Sequence, residues 1–129
     1  MASDPTTAVL LAIGYLVLKH TVADFFLQTP YQYLNKGIYG HPGGILHSGI
    51  HMALTIPVFL ILPTAMLKGV LILIGEFVVH YHVDWLKERG VRLNGYTPQT
   101  AGFWMLMGVD QMAHYLTYLA IVAILIRHA

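Results

Sequence analysis

Apolar residues run along this chain in four long blocks, about residues 7–28, 45–62, 66–86 and 101–126, separated by short polar or turn-forming stretches. Each block comes close to or exceeds the roughly 20 residues that a helix needs to cross the hydrocarbon core of a bilayer. The punctuation agrees with helices. Asp4-Pro5-Thr6-Thr7 is a helix start, and Thr29-Pro30 closes the first block because a proline disfavours helix in the residue before it. Residues 31–44, rich in Tyr, Asn, Gly and Pro, read as a loop at the membrane interface. Pro57 predicts a kink in the second block. Pro63-Thr64 leaves room only for a tight turn, so the second and third helices form an antiparallel hairpin. The third block ends in Lys87-Glu88-Arg89-Gly90, basic residues before a glycine that suits a C-cap. A polar loop over 91–100 follows, and the fourth block is long enough to tilt or project. The expectation is an all-α fold, an integral membrane four-helix up-and-down bundle forming one domain over residues 1–129.

Composition sharpens this. The chain is 57% hydrophobic and 10% charged, against roughly 25% charged residues in a soluble domain. A lipid bilayer is therefore its expected surrounding. The net charge of +1 gives no reason to expect a nucleic-acid partner. With no cysteine, disulfides, thiolate zinc sites and cysteine-held iron–sulfur clusters are excluded. The N-terminus lacks the basic start of a signal peptide, so the first block is expected to be a retained helix. Lys36, Lys87, Arg89 and Arg92 lie in or beside the two longer loops, against Lys68 and Arg127 on the opposite side. By the positive-inside rule both termini face away from the cytoplasm, and the expected location is a bacterial inner membrane.

Against that apolar background stand His20, Asp24, His47, His51, Glu76, His80, Asp84, Asp110 and His114. They are spaced four apart in every block: H-x-x-x-D, H-x-x-x-H, E-x-x-x-H-x-x-x-D and D-x-x-x-H. On a helix this spacing stacks side chains along one face. Charged groups in hydrocarbon are costly, so such residues normally face the protein interior and mark function. Their depths also agree. In an up-and-down bundle, late positions in the first and third helices lie level with early positions in the second and fourth. At about 1.5 Å rise per residue, His20, His51, Glu76 and His114 form a layer nearer the midplane. Asp24, His47, His80 and Asp110 lie one turn nearer the longer loops, and Asp84 a turn beyond.

Imidazole and carboxylate converging from four helices describe a metal site in a bundle core. The set suits one or two divalent ions, zinc first and iron or manganese as alternatives. As metal ligands we take His20, Asp24, His47, His51, His80, Asp84 and His114. Glu76 and Asp110 are the candidates for a catalytic base. A competing explanation is a metal-free hydrogen-bonded network between helices. Lys19 is expected to pair with a carboxylate, and Gln28 and Gln111 to support the site or the fold. Trp85 and the tyrosines suit the interface, Trp104 packing or the interface, and His41 and His128 are non-ligands.

Through His20-Thr-Val-Ala-Asp24-Phe25-Phe26-Leu27-Gln28, Lys36, His47, His80-Tyr-His-Val-Asp84-Trp-Leu-Lys87 and Asp110-Gln111-Met-Ala-His114, the chain resembles a bacterial family of small integral-membrane proteins known only as a domain of unknown function. That resemblance spans nearly the whole chain and implies a four-helix membrane domain without an assigned activity. The pattern of His and Asp on several membrane helices is also similar to that of predicted membrane-bound metal-dependent hydrolases. The H-x-x-H-H boxes of membrane desaturases and hydroxylases are absent. The expected function is a metal-dependent hydrolase of a lipid-like small molecule, metal activating water and a carboxylate serving as base. The alternatives are a di-iron membrane oxidase or hydroxylase, and ion or proton transport or a structural, cofactor-binding subunit, for which a homo-oligomer is expected.

Overall fold

The first helix begins where the sequence says a helix can begin. Asp4 caps it by accepting from the Thr7 amide at 3.2 Å, and Pro5, which has no amide hydrogen to leave unsatisfied, fills its first turn. The structure is a computed structural model that describes residues 4–127, so His128 lies outside the described residues. Six helices follow in order: α1 (Pro5–Phe25), α2 (Pro30–Tyr33), α3 (Pro42–Thr55), α4 (Val58–Ile61), α5 (Met66–Leu93) and α6 (Ala101–Ile126). Among the described residues, four stretches are long and apolar enough to cross a membrane: α1, α3 with α4 as one span over Pro42–Ile61, α5 and α6. The chain is thus built as a multi-pass membrane protein.

The four spans pack as a closed ring, α1 against α3 and α6, and α5 against α3 and α6. Inside and outside are inverted relative to a soluble protein. Leu60 and Met66 are 86% and 85% exposed, whereas His20, His47 and His51 are fully buried. Lipid replaces water at the outer surface, so apolar side chains face outward at no cost. The interior divides by depth. At the end nearer the termini, Leu16, Val58, Ile72, Tyr118, Ile121 and Leu125 form a packed apolar core. At the end nearer the two longer connections, the interior is polar.

Several local features depart from the sequence expectation. Helix α1 stops at Phe25, short of residue 28, because the Gln28 side chain donates to the Asp24 carbonyl at 3.0 Å and takes the place of a further helical turn. The 31–44 stretch, expected as an interfacial loop, opens with the turn α2 and folds back onto the bundle, burying Gln32 and Lys36. Glycine makes that return possible. A Cβ on Gly43 would stand 2.4 Å from the Tyr31 carbonyl oxygen, and one on Gly37 would stand 2.8 Å from Glu88 Cβ. Helix α5 runs through Gly90 to Leu93. The left-handed turn expected at Gly90 falls to Gly95, with φ +62°. The added turns carry Glu88 and Arg92 over the polar end.

Pro57 breaks the second span, as its sequence position requires. It cannot donate to a preceding carbonyl, and the Leu54 carbonyl beside the break accepts instead from the Tyr15 hydroxyl at 2.7 Å. Four crossings put the start of α1 and the end of α6 on one side and the connection after α1 on the other. Reporter fusions inserted after Asn35 and after Arg127 are expected on opposite sides of the membrane. Finding both on one side would refute the four-span topology.

Candidate metal centre

The four-residue spacing works as a ladder. Within α1, α3, α5 and α6 it turns His20 and Asp24, His47 and His51, Glu76, His80 and Asp84, and Asp110 and His114 toward the bundle axis, and all are buried except Asp24, which is partly so. Two carboxylates organise the centre. Asp24 has His51 Nε2 at 2.9 Å and His47 Nε2 at 3.2 Å from Oδ1, with His20 Nε2 at 3.1 Å from Oδ2. Asp84 has His47 Nε2 at 3.2 Å and His80 Nε2 at 3.4 Å from Oδ2, with His114 Nε2 at 3.2 Å from Oδ1. His47 therefore stands equally far from both.

Closeness here does not mean hydrogen bonding. His47 Nε2, His80 Nε2, Asp84 Oδ2 and Asp110 Oδ1 are buried and make no hydrogen bond among the described residues. An unsatisfied buried polar atom is expensive, and four of them together demand a common reason. Charge-assisted hydrogen bonds contract to about 2.7–2.9 Å, whereas ligands held about 2.0–2.1 Å from a tetrahedral zinc stand about 3.3–3.4 Å apart. The spacings at His47, His80 and Asp84 match the second figure. Ligand atoms of Asp24, His47, His51 and His80 lie within 4.8 Å of one another, as do those of His80, Asp84 and His114. Six residues from four helices thus form two overlapping groups able to hold a divalent ion.

The surroundings set the ring orientations. His47 donates from Nδ1 to Gln32 Oε1 at 3.2 Å, which leaves the lone pair on Nε2 facing the carboxylates. His20 is tied at both nitrogens, Nδ1 to the Tyr118 hydroxyl at 2.8 Å and Nε2 to Gln111 Oε1 at 3.1 Å. It lies against Asp24 but in neither ligand group. Glu76 is also outside both groups. Its Oε1 is 2.5 Å from Lys19 Nζ, which also donates to the His51 carbonyl at 2.9 Å, so Lys19 pairs as its position suggested. Asp110 lies beside His114, Oδ1 3.5 Å from Nε2.

Lys36 and Gln32 were not legible as part of a site. Lys36 Nζ lies 3.4 Å from Asp84 Oδ2. Burial works against its charge, but Asp84, Asp24 and Asp110 outweigh it and raise the ammonium's pKa above its ordinary value. A cavity of about 380 Å³ opens from this side and reaches the centre at Asp24, Asp110 and Gln111.

A family model described as a protein of unknown function, DUF3307, matches residues 12–129. No curated protein matches the chain, and no solved structure does.

The Lys19–Glu76 pair makes a direct prediction. Lys19→Met leaves Glu76 as an unpaired buried carboxylate and is expected to cost about 3–5 kcal/mol, while the double variant Lys19→Met with Glu76→Met recovers most of the loss. Thermal unfolding in detergent measures both. An undisturbed single variant would contradict the pairing.

Proposed function

The chain belongs to the DUF3307 family of proteins of unknown function, and from that premise we propose that it is a membrane-embedded hydrolase that uses divalent metal and acts on a lipid-like substrate. The observation that carries this reading is the set of buried imidazole nitrogens and carboxylate oxygens that face one another at metal-ligand spacing without hydrogen bonding. A purely hydrogen-bonded network would have closed those distances. Six ligands divide evenly between two ions, Asp24, His47 and His51 for one and His80, Asp84 and His114 for the other. Three protein ligands on an ion leave a position for water or substrate, the condition for catalysis. Zinc is the first choice, with iron or manganese compatible with the same donors.

Metal bound there would lower the pKa of water and polarise an ester oxygen. The chain's own residues supply the rest. In ester hydrolysis the hydroxyl of water joins the acyl or phosphoryl centre, the ester bond breaks, and a proton passes to the departing alkoxide. Asp110 is the base we assign to that proton: it is buried, its Oδ1 is unpartnered, and it lines the cavity. Glu76, the other sequence candidate, is engaged by Lys19. His20 holds Asp24 in place rather than ligating. Lys36 neutralises Asp84 from the loop side. The surplus of Lys and Arg at that end orients it toward the cytoplasm in an inner membrane, with both termini on the far side.

Metal analysis of detergent-purified protein tests the reading. Zinc or manganese supports hydrolysis, iron turns the reading toward an oxidase, and protein free of all three overturns it. His80→Ala is expected to remove most of the bound metal because His80 belongs to both ligand groups, whereas His82→Ala, outside both, is expected to leave it. Equal metal in the two variants would sink the assignment. Asp110→Asn is expected to keep the metal and lower ester turnover by about 10²–10⁴-fold.

A further inference from the structure

Two openings meet at Asp110. The first is the loop-side cavity, where Lys36, Lys87 and Arg92 gather above the centre. The second is a crevice of about 230 Å³ between α5 and α6, walled by Val83, Leu86, Leu106, Val109 and Ala113. Lys87 and Asp110 line both. The crevice lies on the outer surface of the bundle, where Leu86 and Val109 are exposed to the bilayer. A polar chamber and an apolar slot open to lipid therefore share one buried carboxylate, and that carboxylate's Oδ1 has no hydrogen-bond partner among the described residues.

The charges select the polar end of the occupant. Lys87 pairs with Glu88 at 2.5 Å, Lys36 lies against Asp84, and Arg92 donates to the Gly37 carbonyl, so its charge meets no carboxylate there. Divalent metal on Asp24 and Asp84 would offset their charge; with Lys87 paired to Glu88, Lys36 and Arg92 then outnumber the one carboxylate left in the lining, Asp110, a balance that favours an anion. We infer that cavity and crevice form one binding site for an anionic phosphate-bearing lipid, with its headgroup among Lys36, Lys87 and Arg92 and one acyl chain along the crevice between α5 and α6. This rests on the hydrolase reading, whose lipid-like substrate it specifies. The lipid enters sideways between α5 and α6, and its headgroup linkage comes to rest at Asp110.

Because the chain has no cysteine, single-cysteine variants report cleanly. Ala113→Cys marks the crevice, and Leu18→Cys marks an exposed position on α1 in the same half of the bundle. Each is labelled with a bimane fluorophore and reconstituted in phosphatidylcholine vesicles containing a small fraction of brominated phosphatidic acid or brominated phosphatidylcholine. At position 113 the brominated phosphatidic acid is expected to quench at least threefold more than brominated phosphatidylcholine at equal mole fraction. At position 18 the two are expected to quench alike. Arg92→Gln should abolish the excess, and Lys87→Gln serves if that variant fails to fold. Equal quenching by both lipids at position 113 overturns the proposal, as does an excess that survives both substitutions. Metal content measured on the same samples separates the two readings. Bound metal without lipid preference leaves the metal centre standing and removes the lipid site, and lipid preference in metal-free protein overturns both the metal centre and the charge balance from which this site is argued.

Discussion

The constraint on which the whole molecule depends is that a polar group inside a membrane bundle has no water to turn to. Every imidazole, carboxylate and ammonium in the interior must find its partner within the protein, or an ion must supply it. That requirement explains why the polar residues form one cluster and why each helix contributes. Asp24 and Asp84 collect histidines from α1, α3, α5 and α6, so the carboxylates act as the points through which four otherwise lipid-like helices recognise one another. Apolar side chains cannot supply this recognition, because lipid tails are as good a neighbour for leucine as another leucine.

The same requirement separates groups that are spent from groups that are available. Glu76 is engaged through Oε1 by Lys19 one turn below the centre, its Oε2 left without a partner among the described residues, and His20 is held at both nitrogens. They are fixed parts of the frame. His47, His80, Asp84 and Asp110 each keep a buried atom with no hydrogen bond among the described residues, and it is there that binding chemistry can be sought. Identical residue types thus take opposite parts through their neighbours alone.

Much of this was legible in the sequence because it is periodic. Spacing of four, block length and alternating direction place His20, His51, Glu76 and His114 at one depth and Asp24, His47, His80 and Asp110 one turn nearer the loops, and proline positions mark Thr29-Pro30 and Pro57 as interruptions. Non-periodic contacts were not legible. Nothing in residues 31–44 signals that Gln32 reaches His47 or that Lys36 reaches Asp84, since both depend on the backbone return that Gly37 and Gly43 permit. The end of α5 was misplaced for a related reason: Gly90 and Gly95 are both acceptable stops, and packing of Gly90 against Leu106 goes with the later one. Pairing of Glu76 with Lys19 was equally open, because a lysine one residue before His20 has several carboxylates within reach.

The interruption at Pro57 carries a mechanical meaning. An unbroken helix of 20 residues moves as a rod, so shifting His47 or His51 would drag the opposite end of the span through the packed apolar core. Here the axial hydrogen bonding has already been surrendered at the joint, and Tyr15 holds the loosened Leu54 carbonyl. Helix α3 is therefore a short segment that ends at the break, with both histidines on the side of the polar centre. A shift of that segment need not unseat the far half of the bundle.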